Sequence, residues 1–287
     1  MKFGKVLTAM VTPLDKSGNI DFGQTTKLIE YLLENGSEGL VIAGTTGESP
    51  TLTAEEKVSL FKHVVEKVNN RVPVIAGAGS NNTSSAVTLT KEAESVGVDA
   101  IMLVTPYYNK PNQQGLYEHF STIANETKLP VMMYNIPGRS VIKMSADTII
   151  RLSEIENIVS VKEASGDLDL TSKIIEETTD NFSVYCGEDA ITLPMLAIGA
   201  DGVVSVASHV IGNEMQSMVN AYQSGNVGKA ASLHRKLLPI MNGLFAAPSP
   251  TPVKAALKMK GMDVGGVRLP LVPLTEEEEN TLKQLIY

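Results

Sequence analysis

The chain has 287 residues, 43% of them hydrophobic, and a formal charge of −8 at neutral pH. That length and apolar content supply one large core, and the acidic balance, with a sequence pI near 5.1, argues against a nucleic-acid or anionic-membrane surface. The single cysteine, Cys186, excludes an intramolecular disulfide and fits a reducing compartment. Met1 to Lys5 carries no charged-then-apolar leader, and no run approaches the ~18 apolar residues of a membrane span. A soluble, cytoplasmic protein is expected.

From the N-terminus, short apolar runs alternate with amphipathic stretches. Val6 to Val11 reads as a strand, followed by a helix from Phe22 to Asn35 that stops at Gly36. Leu40 to Ala43 is the second strand, and Thr53-Ala54-Glu55-Glu56 carries the capping-box signature of the next helix. Val72 to Ala76 and Ala100 to Val104 follow as strands, with helices at Thr83 to Val96 and Gln113 to Glu126. Val131 to Asn135, Ile158 to Glu163, Phe182 to Cys186 and Gly202 to Val206 complete the strands. Helices are expected between them at Ala146 to Ser153, Leu170 to Thr178 and Ala190 to Ile198.

Strand-then-helix units repeated in this way predict an α/β fold, a (β/α)8 barrel. The competing doubly wound sheet lacks its glycine fingerprint, because Thr12-Pro13-Leu14-Asp15 stands after the first strand. Further helices follow at Ile211 to Gln223, Gly228 to Phe245 and Pro252 to Lys260, and a last one is capped at Thr275. Residues 1–223 are expected to form the barrel and 224–287 a C-terminal helical extension. Glu276 to Glu279 open that last helix, where its dipole favours acids.

Residues that act in a barrel sit at the C-terminal ends of its strands. In Ile158 to Glu163, period two sends Ser160, Lys162 and Ala164 to one face, and Val159, Val161 and Glu163 to the other. Burial lowers the pKa of a lysine and makes its amine a nucleophile toward carbonyl carbon. The same residue could instead snorkel to water or pair with a carboxylate. Tyr134 lies one strand–helix unit earlier and can relay protons, or can merely satisfy a buried acceptor. Gly44-Thr45-Thr46-Gly47-Glu48 joins tight-turn glycines to two hydroxyls, Thr105-Pro106-Tyr107-Tyr108-Asn109 places adjacent tyrosines in a loop, and Arg139 could clamp a carboxylate or lie at the surface. No histidine has metal-ligand spacing and no Ser-His-Asp order is present. Cys186 reads as buried packing before it reads as a reactive thiol.

Gly44 to Glu48, Tyr107-Tyr108, Tyr134 to Arg139 and Val161 to Ala164, in this order, resemble the dihydrodipicolinate synthase family, over essentially the whole chain. Pro250 to Lys258 is similar to the family's C-terminal helical segment. The resemblance implies a Schiff base between Lys162 and pyruvate, and a proton relay of Tyr134, Thr45 and Tyr108, the last reaching in from a neighbouring subunit. It also implies that Thr46 holds the pyruvate carboxylate, that Arg139 meets the carboxylate of aspartate 4-semialdehyde, and that Gly187 and Val204 line the site. Condensation and ring closure would then commit carbon to diaminopimelate and lysine, in a homotetramer made of two dimers, with no cofactor and no metal.

The sequence departs from lysine-inhibited members at Ala54, Lys57 and Ser85, although Ser49, Asn81 and Tyr107 remain, so weak or absent feedback by L-lysine is expected. Ser140-Val141-Ile142 replaces the frequent Thr-Gly after the arginine. Two other readings stand beside the first. One is an aldolase for 2-keto-3-deoxy sugar acids or N-acetylneuraminate, which Thr45-Thr46 disfavours. The other is a non-catalytic keto-acid-binding barrel, for which the lysine, tyrosine and threonine set should be broken; it is intact.

Overall fold

The computed structural model describes residues 3–287. Strands β1 (Val6–Ala9), β2 (Gly39–Ile42), β3 (Val74–Gly77), β4 (Ala100–Val104), β5 (Val131–Asn135), β6 (Ile158–Glu163), β7 (Ser183–Cys186) and β8 (Gly202–Ser205) pair in parallel, in sequence order. β8 returns to β1 and closes the sheet into a TIM barrel with helices outside. The predicted strands are all present; four keep the predicted length, and β1, β3, β7 and β8 are a residue or two shorter than the apolar runs suggest. At the end of the first run, Met10 N–H still donates to Val41 O, yet Val11 N–H turns to His209 Nε2 and leaves the ladder.

Two apolar layers follow from the alternation. Outward side chains such as Val6, Ile42, Val161 and Val203 pack under the helices, while Leu7, Val41, Ile75, Met102, Met132, Tyr185 and Val204 fill the barrel interior. Burial on both faces is why the strands read as continuous apolar runs. The helix entries are local: Asp21, Asn82, Asn112, Ser145 and Asp167 each accept a first-turn amide. Thr53 and Thr275 form complete capping boxes with Glu56 and Glu278, as the sequence predicts.

Three local features differ from the sequence expectation. A bulge in β6 pairs Met132 with Ser160, one residue beyond the regular register, and turns Val159 against the interior cluster. Period two therefore misassigns Val159 but not Lys162. A short helix, Pro137–Ser140, occupies what reads as a loop, with Pro137 at its first turn. The helix after β8 starts at Ser208 and kinks at Ile211. It packs on the barrel through Gln216, which donates to Gly36 O, and Lys5, which donates to Asn220. We propose the division between barrel and extension after it, at Gln223.

Candidate active site

The ends of β5 and β6 are bound together before any catalytic side chain is considered. Asn135 Nδ2 donates to Glu163 Oε2 at 2.7 Å, and Ser165 N–H donates to Glu163 Oε1 at 2.6 Å. Met144 N–H completes the latch on Asn135 Oδ1 at 3.0 Å. The Asn135 and Glu163 side chains alternate with Tyr134 and Lys162 along the strands, so the inner faces of the same two strands are held in register. Tyr134 and Lys162 are direct register partners there, and Lys162 Nζ lies 4.2 Å from the centroid of the Tyr134 ring.

Lys162 is 5% exposed. Burial pushes its pKa down to about 8, against a partial restoring pull from the Asp189 carboxylate. The neighbouring phenol responds in the opposite sense. Burial raises Tyr134 to about 12, with Arg139 and a hydrogen bond from the Thr45 side chain pulling it back. Tyr134 thus keeps its proton across the physiological range, beside an amine that readily gives one up.

Gly187, the first residue beyond β7, explains how the lysine fits. A Cβ there would stand 2.7 Å from Ala164 Cβ and 3.1 Å from both Cγ and Cε of Lys162. Only a glycine leaves that passage open without displacing the lysine stem. Val204 closes the interior on the β8 side and is fully buried.

Thr45 and Tyr134 line one cavity of about 390 Å³, whose mouth carries Arg139. The cavity extends to Ser49, Ala54, Lys57, Ser85 and Tyr107. Its lining contains two cations and no carboxylate. Thr46 is buried in the same turn, which is shaped by Thr12 Oγ1 donating to Gly47 O at 2.7 Å and by Glu48 N–H donating to Thr45 O at 3.1 Å. Tyr108 does not line the cavity, although its neighbour Tyr107 does. It has a left-handed backbone (φ +72°) and is 88% exposed.

One residue of the site carries no motif in the sequence. Asp189 is buried in a single turn of 3-10 helix after β7, where its carboxylate accepts from Ser205 Oγ at 2.5 Å, Ala207 N–H at 2.9 Å and Val206 N–H at 3.0 Å. Burial raises its pKa, while those donors and the Lys162 ammonium favour the anion. Its place just beyond a barrel strand is the one signal that could have singled it out. Cys186, by contrast, is packed outward under the helices with its thiol donating to Glu188 O, and burial pushes its pKa up to about 12, so it stays protonated. Among the described residues, no group of His, Cys, Asp and Glu side chains gathers to hold a metal, and no helix is long and apolar enough to cross a membrane.

The closed parallel barrel thus carries a buried lysine beside a protonated tyrosine on its inner face. The family model described as "Dihydrodipicolinate synthetase family" matches residues 2–287. The chain belongs to this family. A "4-hydroxy-tetrahydrodipicolinate synthase 2" of Halalkalibacterium halodurans is 63% identical over 100% of the chain and 98% of that protein. The crystal structure of a dihydrodipicolinate synthase from Bacillus anthracis superposes with a TM-score of 0.99 at 61% identity, covering 100% of this chain and 98% of that one. A dihydrodipicolinate synthase variant described as monomeric, 40% identical, has a TM-score of 0.96 and covers 99% of this chain and 95% of its own. The dihydrodipicolinate synthetase barrel is therefore shared over its whole length, extension included.

Proposed function

We propose that the chain is a lyase that condenses pyruvate with L-aspartate 4-semialdehyde to give 4-hydroxy-tetrahydrodipicolinate, a step of diaminopimelate and lysine biosynthesis in the cytoplasm. The observation that carries this reading is the pairing of Lys162, lowered to about 8, with Tyr134, raised to about 12, on adjacent inner strand positions. The neutral amine attacks the ketone carbon of pyruvate, and loss of water from the carbinolamine gives an iminium. Tyr134, backed by Thr45, supplies the proton that turns the departing hydroxyl into water and later accepts one back. Thr46 and its turn hold the pyruvate carboxylate. Loss of a methyl proton gives the enamine, whose carbon attacks the aldehyde; Arg139, at the mouth, holds the second carboxylate. The amino group of the second substrate then displaces Lys162 from the iminium and closes the ring. The lysine is regenerated, and its iminium is the electron sink, so no cofactor enters the balance.

Tyr108 completes this relay from a second copy of the chain. Its exposure, beside a site otherwise assembled, supports a dimer at least, and a dimer of dimers is the reading we adopt. The monomeric relative makes the oligomer a matter for sedimentation of this protein itself.

Borohydride reduction with pyruvate should fix a stable adduct on the wild-type chain, read by intact mass, and none on Lys162→Ala. A well-folded wild type without adduct would remove the Schiff-base reading. Asp189→Asn tests the electrostatics. Removing the anion takes away the pull that raises the lysine, so its pKa falls further and the acid limb of kcat/KM moves to lower pH by roughly one unit. An unmoved limb would mean that Asp189 serves only the β8 turn.

The long arm of the cavity bears on regulation. Lys57 adds a cation to a lining that holds no carboxylate, and Ser85 stands where an anion would be needed to hold a cationic effector. Millimolar L-lysine should therefore leave turnover unchanged, and half-inhibition below 1 mM (roughly −4 kcal/mol of binding) would refute this.

A further inference from the structure

Two stretches singled out in the sequence meet at a point the reaction leaves unused. Glu48 ends the Gly44–Glu48 turn, and Lys254 belongs to the helix Thr251–Met259 of the extension. Their side chains form an ion pair at 2.6 Å, with exposures of 2% and 3%. Lys254 Nζ also donates to Gly266 O at 2.6 Å, and Arg268 N–H donates to the other Glu48 oxygen at 2.8 Å. The Arg268 guanidinium continues the chain of contacts, to Gly18 O at 2.8 Å, to Thr51 O at 2.5 Å and in a fork to Glu56.

A buried ion pair is at best weak support for stability, since an apolar pair of similar volume does as well or better. What charges can do is fix a direction. Glu48 needs that, because it is a non-glycine residue in the left-handed region (φ +58°). Its backbone is the pivot of the turn: its N–H reaches Thr45 O, and its carbonyl receives both Thr51 N–H at 2.9 Å and Thr51 Oγ1 at 3.0 Å. Any rotation of Glu48 is transmitted to Thr45 and Thr46. On the other side of the turn Gly47 is pressed against Ala43, where an added Cβ would meet backbone at 3.0 Å, so the turn has one seating.

We propose that the Glu48–Lys254 pair, braced by Arg268, is a positioning device through which the C-terminal extension orients Thr45 and Thr46 toward the pyruvate carboxylate and the transferred proton. This rests on the function proposed above. It assigns the extension a part in catalysis although none of its residues lines the cavity. Lys254, Glu48 and Arg268 are positioning residues, acting through the turn.

The test is steady-state kinetics of Lys254→Met and Arg268→Ala with both substrates varied, alongside melting curves and borohydride trapping. Lys254→Met should raise KM for pyruvate and lower kcat, so that kcat/KM for pyruvate falls at least 30-fold. KM for the aldehyde, held by Arg139, should move less than twofold. Arg268→Ala should change the same constants in the same sense by threefold or more. A purely structural pair would lower the melting temperature and leave both constants of the folded enzyme within twofold of wild type; that result overturns the proposal. Should Lys254→Met fail to fold, Arg268→Ala decides alone, since its side chain is already 19% exposed. Wild-type protein that traps no pyruvate would sink the functional reading, whereas normal trapping with unchanged variants sinks only the clamp.

Discussion

Lys162→Met loses turnover by on the order of 10⁴-fold or more and melts several degrees higher than wild type at neutral pH. The two effects share one cause. In the folded chain the lysine titrates near 8, against 10.5 for the free side chain, because burial disfavours its charged form. Below pH 8 the amine is protonated in both states, and the folded state carries the full penalty of an ammonium in the barrel, about 3 kcal/mol. Between 8 and 10.5 the unfolded chain binds more protons than the folded one, so wild-type stability rises with pH; above 10.5 both are neutral and the penalty is gone. Methionine fills the same space without the charge, which for a chain of this size corresponds to a gain of roughly 5 °C. Melting curves of both proteins from pH 6.5 to 10.5 should converge at the alkaline end. Equal melting temperatures at pH 7 would show that the lysine is not desolvated at all.

Tyr134→Phe should lower kcat by about 10²- to 10³-fold while changing KM for pyruvate little. The ring is kept, so its contact with Lys162 Nζ at 4.2 Å and its packing among Met102, Met132 and Tyr185 are kept too. What is lost is the hydroxyl, a donor that holds its proton up to about pH 12 and is reached by Thr45. Carbinolamine dehydration needs that donor, because hydroxide is a poor leaving group. Single-turnover trapping should show the adduct forming slowly and still reaching full occupancy. A loss smaller than fivefold would take Tyr134 out of the relay and leave it as a wall of the site.

Much of this is legible in the amino-acid sequence. The strand–helix alternation, the capping boxes at Thr53 and Thr275, and the inward face of Lys162 follow from residue type and period. The height match between Tyr134 and Lys162 also follows, since neighbouring parallel strands in a barrel advance by similar units. Val159 was misread because a bulge inserts a residue without leaving a signature in a β-branched run. Asp189 was overlooked because a lone carboxylate after a strand looks like any loop acid until its three donors are seen around it. The role of Glu48 was hidden by distance, since its partner lies in the extension, beyond the whole barrel.

The sequence by itself determined the architecture, because apolar period and helix caps are local properties that each segment carries. It also marked Lys162 as the proposed nucleophile, because a lysine among buried β-branched residues is conspicuous wherever the strand goes. Only the tertiary structure decided the electrostatics. How far Lys162 is depressed depends on its burial and then on Asp189 and Arg139, which reach it from segments beyond other strands, and whether its stem fits depends on Gly187 leaving room. It decided as well that Tyr108 stands exposed on the chain's surface and that Lys254 pairs with Glu48 at the threonine turn. Charge, exclusion of water and close approach are sums over everything nearby in space, and a chain read in order does not contain that neighbourhood.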